Sequence, residues 1–177
     1  MNKAIIILGS SRSDGNTKKA VESLNPDNSM SVIDLNEIKI SPYDYENKNE
    51  DDDYLGLMEK ILEYDAIILA SPVYWYSMSA IMKIFIDRLS DCLTIRKDIG
   101  YKLKGKYVYV LASSPRSLPE CFIEPFRATC EYMKMNYAGE FLYYPGDDVQ
   151  FLSQNKKISE FRKDIEQLNA RIEKYKL

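Results

Sequence analysis

Residues 3–24 read KAIIILGSSRSDGNTKKAVESL: an apolar run, a polar loop between two glycines, then a short helical pattern. That order decides the architecture. The run to Leu8 is continuously apolar and rich in β-branched residues, which predicts a strand buried on both faces. The same alternation continues outward from it. SVIDL (31–35) predicts a second strand, and a polar, acidic connection (36–53) leads to a helix over YLGLMEKILEY (54–64). There Leu55, Met58, Ile61 and Leu62 recur at helical spacing. DAIILASP (65–72) is a third strand, and SAIMKIFIDRL (79–89) is a helix with Ile81, Ile84, Phe85, Arg88 and Leu89 on its inner face. KYVYVLAS (106–113) is a fourth strand, followed by a helix over 119–135 interrupted at Pro125. AGEFLYY (138–144) is a fifth strand before a long terminal helix.

Five strand–helix units in 177 residues predict an α/β fold: a doubly wound, five-stranded parallel sheet of the flavodoxin-like kind, order 2-1-3-4-5, with helices on both faces. No repeat or linker divides the chain, so residues 1–177 read as a single domain. In such a sheet ligands bind beyond the carboxyl ends of the strands, beside the switch point. The loops after Leu8, Ala70 and Ala112 therefore carry the chemistry.

Composition removes several alternatives. The absence of histidine excludes Ser-His-Asp and Cys-His catalysis and His-ligated metals. Three scattered cysteines make neither a Cys-only zinc site nor a disulfide framework, and no metal is expected. A net charge of -3 gives no basic surplus for nucleic acid or anionic lipid. The first apolar run is shorter than a signal-peptide core, and nothing approaches the roughly 20 apolar residues of a membrane span. The expectation is a soluble, cytoplasmic protein without nucleic-acid or membrane partners.

The first loop, Gly9–Thr17, joins a buried strand to a helix. Gly9 and Gly15 let the backbone turn N–H groups toward an anion at the helix N-terminus, while Ser10, Asn16 and Thr17 add donors and Arg12 adds charge. Five residues separate the glycines and Asn16 stands where a Walker A lysine would be, so nucleoside triphosphate hydrolysis is not expected. The pattern is not GxGxxG either. A terminal monophosphate fits best; a serine-rich helix cap is the plainer alternative.

The loop after the third strand reads Ser71-Pro72-Val73-Tyr74-Trp75-Tyr76-Ser77, with the sole tryptophan between two tyrosines. Aromatics where the backbone must turn point to a flat ligand, with Ser77 or Ser79 capping the next helix and aiming its positive end at that ligand. A subunit contact is the alternative, and the two are compatible. A phosphate cradle and a planar shelf on neighbouring loops together specify FMN.

GSSRSDGNT with ASPVYWYSMSAIMKIFIDR resembles the NAD(P)H-dependent FMN reductase and flavodoxin-like oxidoreductase family, over the chain to about residue 145. The resemblance implies that Ser10, Arg12, Asn16 and Thr17 hold the FMN phosphate. Pro72, Val73, Tyr74 and Trp75 would border the isoalloxazine ring, and the loop from Ser113 would close its other side. It implies NADPH or NADH as electron donor, a small acceptor (quinone, azo or nitro compound, or free flavin) and a homodimer or homotetramer. No acid–base side chain is assigned a catalytic role. Relatives with an iron–sulfur cluster carry closely spaced cysteines after the second strand; residues 40–45 here read ISPYDY, so no cluster is expected. The third loop, Ser113–Pro119, lacks the glycines common in the family. A non-enzymatic electron carrier is the competing reading, weakened by the small net charge.

Other polar and apolar patterns receive structural readings. Cys92, Cys121 and Cys130 are expected to be buried small hydrophobes. The acidic run Glu50–Asp53 is expected to cap the following helix, and Lys83 with Asp87 to form a surface pair. Arg116 reads as a solvated loop residue or a contact to an NADPH phosphate. Ile158, Phe161, Ile165, Leu168, Ile172 and Tyr175 form a stripe that packs on the sheet or meets a partner helix.

Overall fold

The apolar runs become the centre of a parallel sheet. The computed structural model describes residues 4–49, 51–145 and 156–168. Strands β1 (Ala4–Leu8), β2 (Ser31–Asp34), β3 (Ala66–Pro72), β4 (Tyr107–Ser113) and β5 (Asn136–Tyr143) lie in the order β2-β1-β3-β4-β5, all neighbours parallel. Helices α1 (Asn16–Leu24), α2 (Tyr54–Ile61), α3 (Ala80–Asp87), α4 (Asp91–Thr94), α5 (Lys97–Leu103) and α6 (Glu120–Tyr132) join them, with α7 at 156–168. This is the expected flavodoxin-like topology.

Successive residues of the central strands enter opposite layers. Ile5, Ile7, Ile67, Leu69, Val108 and Val110 pack into a core with α2, α3, α5 and α6. Ile6, Leu8, Ile68, Ala70, Tyr109 and Leu111 pack into a second core with α1 and α7. Burial on both faces is why these strands show no in–out alternation. Stacking the carboxyl ends of β1, β3 and β4 side by side brings the three expected loops to one edge.

The terminal stripe packs on the sheet. Ile158 and Ile165 are buried, and Phe161 meets the rings of Tyr109 and Phe141 at 5.3 and 5.7 Å. Ile172 and Tyr175 lie outside the described residues.

Three expectations change. Pro125 does not interrupt its helix; α6 runs through it. The proline ring removes the donor to the Cys121 carbonyl, and Cys121 is exposed. Cys121 is thus not the buried residue expected, unlike Cys92 and Cys130. Finally, the helix predicted over 79–89 gives way after Asp87 to a 3-10 turn (Arg88–Ser90), then α4 and α5, whose Ile99 and Leu103 are buried.

Candidate functional site

Gly9 ends β1, and its N–H donates to Ala70 O at 2.8 Å, extending the β1–β3 pairing into the loop. It sits directly against α3: a Cβ here would lie 2.8 Å from Met82 Cε and 2.9 Å from Met82 Cβ. Only glycine allows that approach. Ser79 locks the contact. Its hydroxyl donates to Gly9 O at 2.6 Å and accepts from Met82 N at 3.2 Å, and its own N–H donates to Ser71 Oγ at 3.0 Å. Ser79 is therefore the N-cap of α3, as the sequence allows. This cap is fully buried. The cap hydroxyl is therefore spent within the fold, on Gly9 O and Met82 N.

The rest of the first loop is held from two sides. Asn36 Nδ2 donates to Ser10 O at 2.6 Å, anchoring the loop to the segment after β2. Thr17 and Ser113 share a hydroxyl–hydroxyl bond of 2.7 Å, tying the start of α1 to the end of β4. Whichever hydroxyl accepts keeps its own proton free for a further acceptor. At the N-terminus of α1, Gly15 provides no side-chain cap, so the first-turn N–H groups remain available. The Arg12 guanidinium lies about 3.7 Å from where a Gly15 Cβ would sit, folded over the same helix end.

The turn after β3 is built differently. Val73 N donates to Ser113 O (3.0 Å), and Tyr74 and Ser77 exchange both backbone bonds at 2.9 and 3.0 Å. Trp75 and Tyr76 between them have φ of +47° and +67°. Two positive φ values inside a closed two-residue hairpin are the pattern of a type I′ turn, ordinarily made by Asn-Gly or Gly-Gly. Aromatic residues there cost roughly 1–2 kcal/mol each. The turn holds Trp75 outward at 93% exposure and Tyr76 at 63%.

Between these loops lies a cavity of about 170 Å³ lined by Ser10, Arg12, Gly15, Asn16, Thr17, Pro72, Val73, Tyr74 and Ser113, together with Ser114, Pro115 and Pro145. The structure thus gathers nine of the eleven residues singled out from sequence. Trp75 and Tyr76 stand beyond the rim. Ser114 and Pro115 belong to the loop from Ser113 that the resemblance places here, while Pro145 follows a strand whose end the sequence does not tie to the site. Among the described residues no carboxylate lines the cavity, and Arg12 has no ion-pair partner. A positive side chain, uncapped amides and several hydroxyls around one hollow are the donor set that an anionic oxygen group requires.

A second polar cluster is structural. Arg88 is 1% exposed, with Nε donating to Asp91 Oδ2 at 2.7 Å and Nη1 to Ser41 O at 2.9 Å. It also pairs with Asp52 and stacks over Tyr54 at 4.6 Å. Burial alone would raise the Asp52 carboxyl, but hydrogen bonds from Arg88, Ser41 N and Tyr54 N outweigh it and hold the group below its usual 3.8. The acidic run therefore caps α2 only in part. Asp52 receives Tyr54 N, and it also accepts from Ser41 N and Arg88, which ties the start of the acidic connection to the turn after α3.

The sequence profile of the NADPH-dependent FMN reductases matches residues 2–143. The chain belongs to that family. It is an NAD(P)H-dependent flavin oxidoreductase whose cofactor is FMN. The Bacillus subtilis protein YwqN, named as an NAD(P)H-dependent FMN-containing oxidoreductase, is 30% identical across 88% of this chain and 96% of its own. Among solved structures, the Trp repressor binding protein of Bacillus subtilis matches with a TM-score of 0.68 at 27% identity, covering 89% of this chain and 94% of that one. General stress protein 14 of Treponema denticola, determined in complex with FMN, shares the fold with a TM-score of 0.61 at 17% identity, covering 92% and 99%. In this flavin reductase no described helix is long and apolar enough to cross a membrane, and no described acidic or cysteine cluster has the makings of a metal site.

Proposed function

We propose that the cavity at the β1–β3–β4 edge holds the FMN phosphate and that the enzyme delivers electrons to a small planar acceptor, a quinone above other classes. The observation that carries this reading is the cavity itself, which joins Arg12, without an ion-pair partner among the described residues, and the open end of α1 to the base of an aromatic turn. At about 170 Å³ it is smaller than the roughly 300–1,000 Å³ of pockets that enclose a whole ligand. That size suits the phosphate and its adjoining chain, leaving the ring system against Pro72, Val73 and Tyr74, open on one face.

Bound FMN supplies two-electron chemistry between a nicotinamide and the acceptor. The protein's part is binding and orientation. Arg12 and the first amides of α1 neutralise the phosphate, and Ser10, Asn16, Thr17 and Ser113 fix its rotation. Val73 N and Tyr74 N are already bonded within the fold, whereas Trp75 N and Tyr76 N have no partner among the described residues. Those two amides would meet negative charge that grows at the ring edge. The Trp75 and Tyr76 rings would guide a flat donor or acceptor onto the open face. The same exposed tryptophan supports a homodimer in which this rim lies near the subunit contact.

The test uses the FMN-loaded protein under anaerobic conditions with NADPH and then 1,4-benzoquinone. Arg12→Ala with Thr17→Ala should release FMN, with affinity at least 100-fold weaker and quinone-dependent NADPH oxidation restored by excess FMN. Unchanged FMN affinity would overturn the phosphate assignment. Reduced protein that is not reoxidised by the quinone would overturn the acceptor class.

A further inference from the structure

A larger cavity lies at the other end of the sheet. It has a volume of about 420 Å³ and opens between α4, α5 and the C-terminal end of α6, where the chain enters β4 and β5. The strand between the two sites, β4, is seven residues long. At about 3.3 Å per residue, that puts them roughly 20 Å apart. This cavity is therefore independent of the flavin reading. Met133 is buried in its wall, and the rings of Tyr101 and Tyr132 border it at 79% and 73% exposure.

Three lysines line this apolar hollow: Lys97, Lys104 and Lys134. Among the described residues no carboxylate lines it, and none of the three lysines has an ion-pair partner. In a chain of net charge -3 that is a local reversal of sign. The negative ends of α5 and α6 account for part of the charge, since both helices terminate beside Lys104 and Lys134. They do not account for Lys97, which begins α5. Nor do they explain why Lys134 occupies a left-handed position (φ +57°) that glycine fills at less cost. The volume falls within the range of small-molecule sites, and apolar walls with a few convergent charges are their usual make-up.

We propose that this cavity is a second ligand site, binding a small planar aromatic anion with its ring against Tyr101 and Tyr132 and its charge against Lys97, Lys104 and Lys134.

The probe is 1-anilinonaphthalene-8-sulfonate, titrated into the FMN-saturated protein and followed by fluorescence. One probe should bind per chain, weaken with added salt and ignore further FMN. Lys97→Glu with Lys134→Glu should weaken it at least tenfold, Lys97→Gln with Lys134→Gln by a smaller factor, and Tyr132→Ala comparably. The neutral analogue N-phenyl-1-naphthylamine should be indifferent to the lysine changes. FMN content and quinone turnover should stay at wild-type levels, which certifies the fold of each variant. No saturable binding, displacement of the probe by FMN, or equal affinity after charge reversal would each overturn the proposal.

Discussion

The two loops that frame the cavity at the β1–β3–β4 edge solve opposite problems. The Gly9–Thr17 loop is tied down before any ligand arrives: Gly9 to β3 and Ser79, Ser10 to Asn36, Thr17 to Ser113. The Tyr74–Ser77 turn is closed by only two backbone bonds, holds two aromatics at positive φ and points its tryptophan into solvent. A buried, pre-bonded loop suits a phosphate, whose three oxygens demand fixed donors. An exposed turn with rings set against their backbone preference suits partners that come and go. One is organised for holding, the other for presenting, and substitutions in them should move stability in opposite directions.

The largest effect is expected at Gly9. In Gly9→Ala the new methyl meets Met82 Cβ and Cε at 2.9 and 2.8 Å, and the Cβ belongs to a helix rather than a free side-chain end. α3 must shift, at a cost of about 1–3 kcal/mol. Because Ser79 joins Gly9 to the start of α3, FMN affinity should fall with stability. The chain's sole tryptophan is in the turn, so its emission reports that region alone. Chemical unfolding, FMN titration and Trp75 emission should show a loss in the first two and little change in the third. A changed emission maximum would show that the loops are mechanically one unit and would break the comparison.

A smaller effect of opposite sign is expected at Trp75. Glycine accepts φ of +47° without the steric cost an aromatic residue bears. Its greater freedom in the unfolded chain returns part of that gain. Trp75→Gly should be stabilised by up to about 1 kcal/mol, a rise of roughly 2–4 °C in the thermal midpoint. FMN affinity should change little, while turnover with NADPH and quinone falls several-fold. A lower midpoint would mean that the indole packs for the fold and that the turn stores no strain on behalf of ligands.

What the sequence disclosed follows the same division. Buried strands such as Ala4–Leu8 and Ala66–Pro72 announce themselves because both faces must be apolar, and the place of the first loop at the sheet edge is legible because it joins such a strand to a helix. The Arg88–Asp52–Asp91 cluster was not readable as a cluster. Asp52 is distant in the chain from Arg88 and Asp91, and a helical pattern that puts Arg88 on an inner face does not say which carboxylates meet it there. The helical phase of α6 carries its own signal: Phe122, Ile123, Phe126 and Cys130 share the buried face, which turns Cys121 outward. The geometry of the Trp75–Tyr76 turn was hidden because nothing in an aromatic sequence asks for positive φ. Such local disagreement between residue type and backbone is a mark of a site under functional demand.

The smallest effect concerns how the cradle is held from behind. α1 begins in the cradle and runs to Leu24, and the turn after it is joined to α7 by Asp27, whose carboxylate accepts from Arg162 Nη2 at 2.6 Å. That hydrogen bond, aided by one from Ser29, lowers the Asp27 carboxyl from 3.8 to about 2. A depressed acid stabilises the fold above its unfolded value, and the contribution disappears as pH falls through the folded one. Asp27→Asn should therefore be slightly less stable than wild type at neutral pH. The gap should begin to close near pH 4 and be lost as pH falls through about 2, with the pair's exposure and added salt keeping it small throughout. Thermal midpoints of both proteins across that window measure it. FMN affinity at neutral pH should be the same in both, because the cradle's own bonds at Gly9, Ser10 and Thr17 do not pass through α7. A parallel loss of FMN would place the terminal helix within the holding machinery and extend the rigid half of the comparison to the far end of α1.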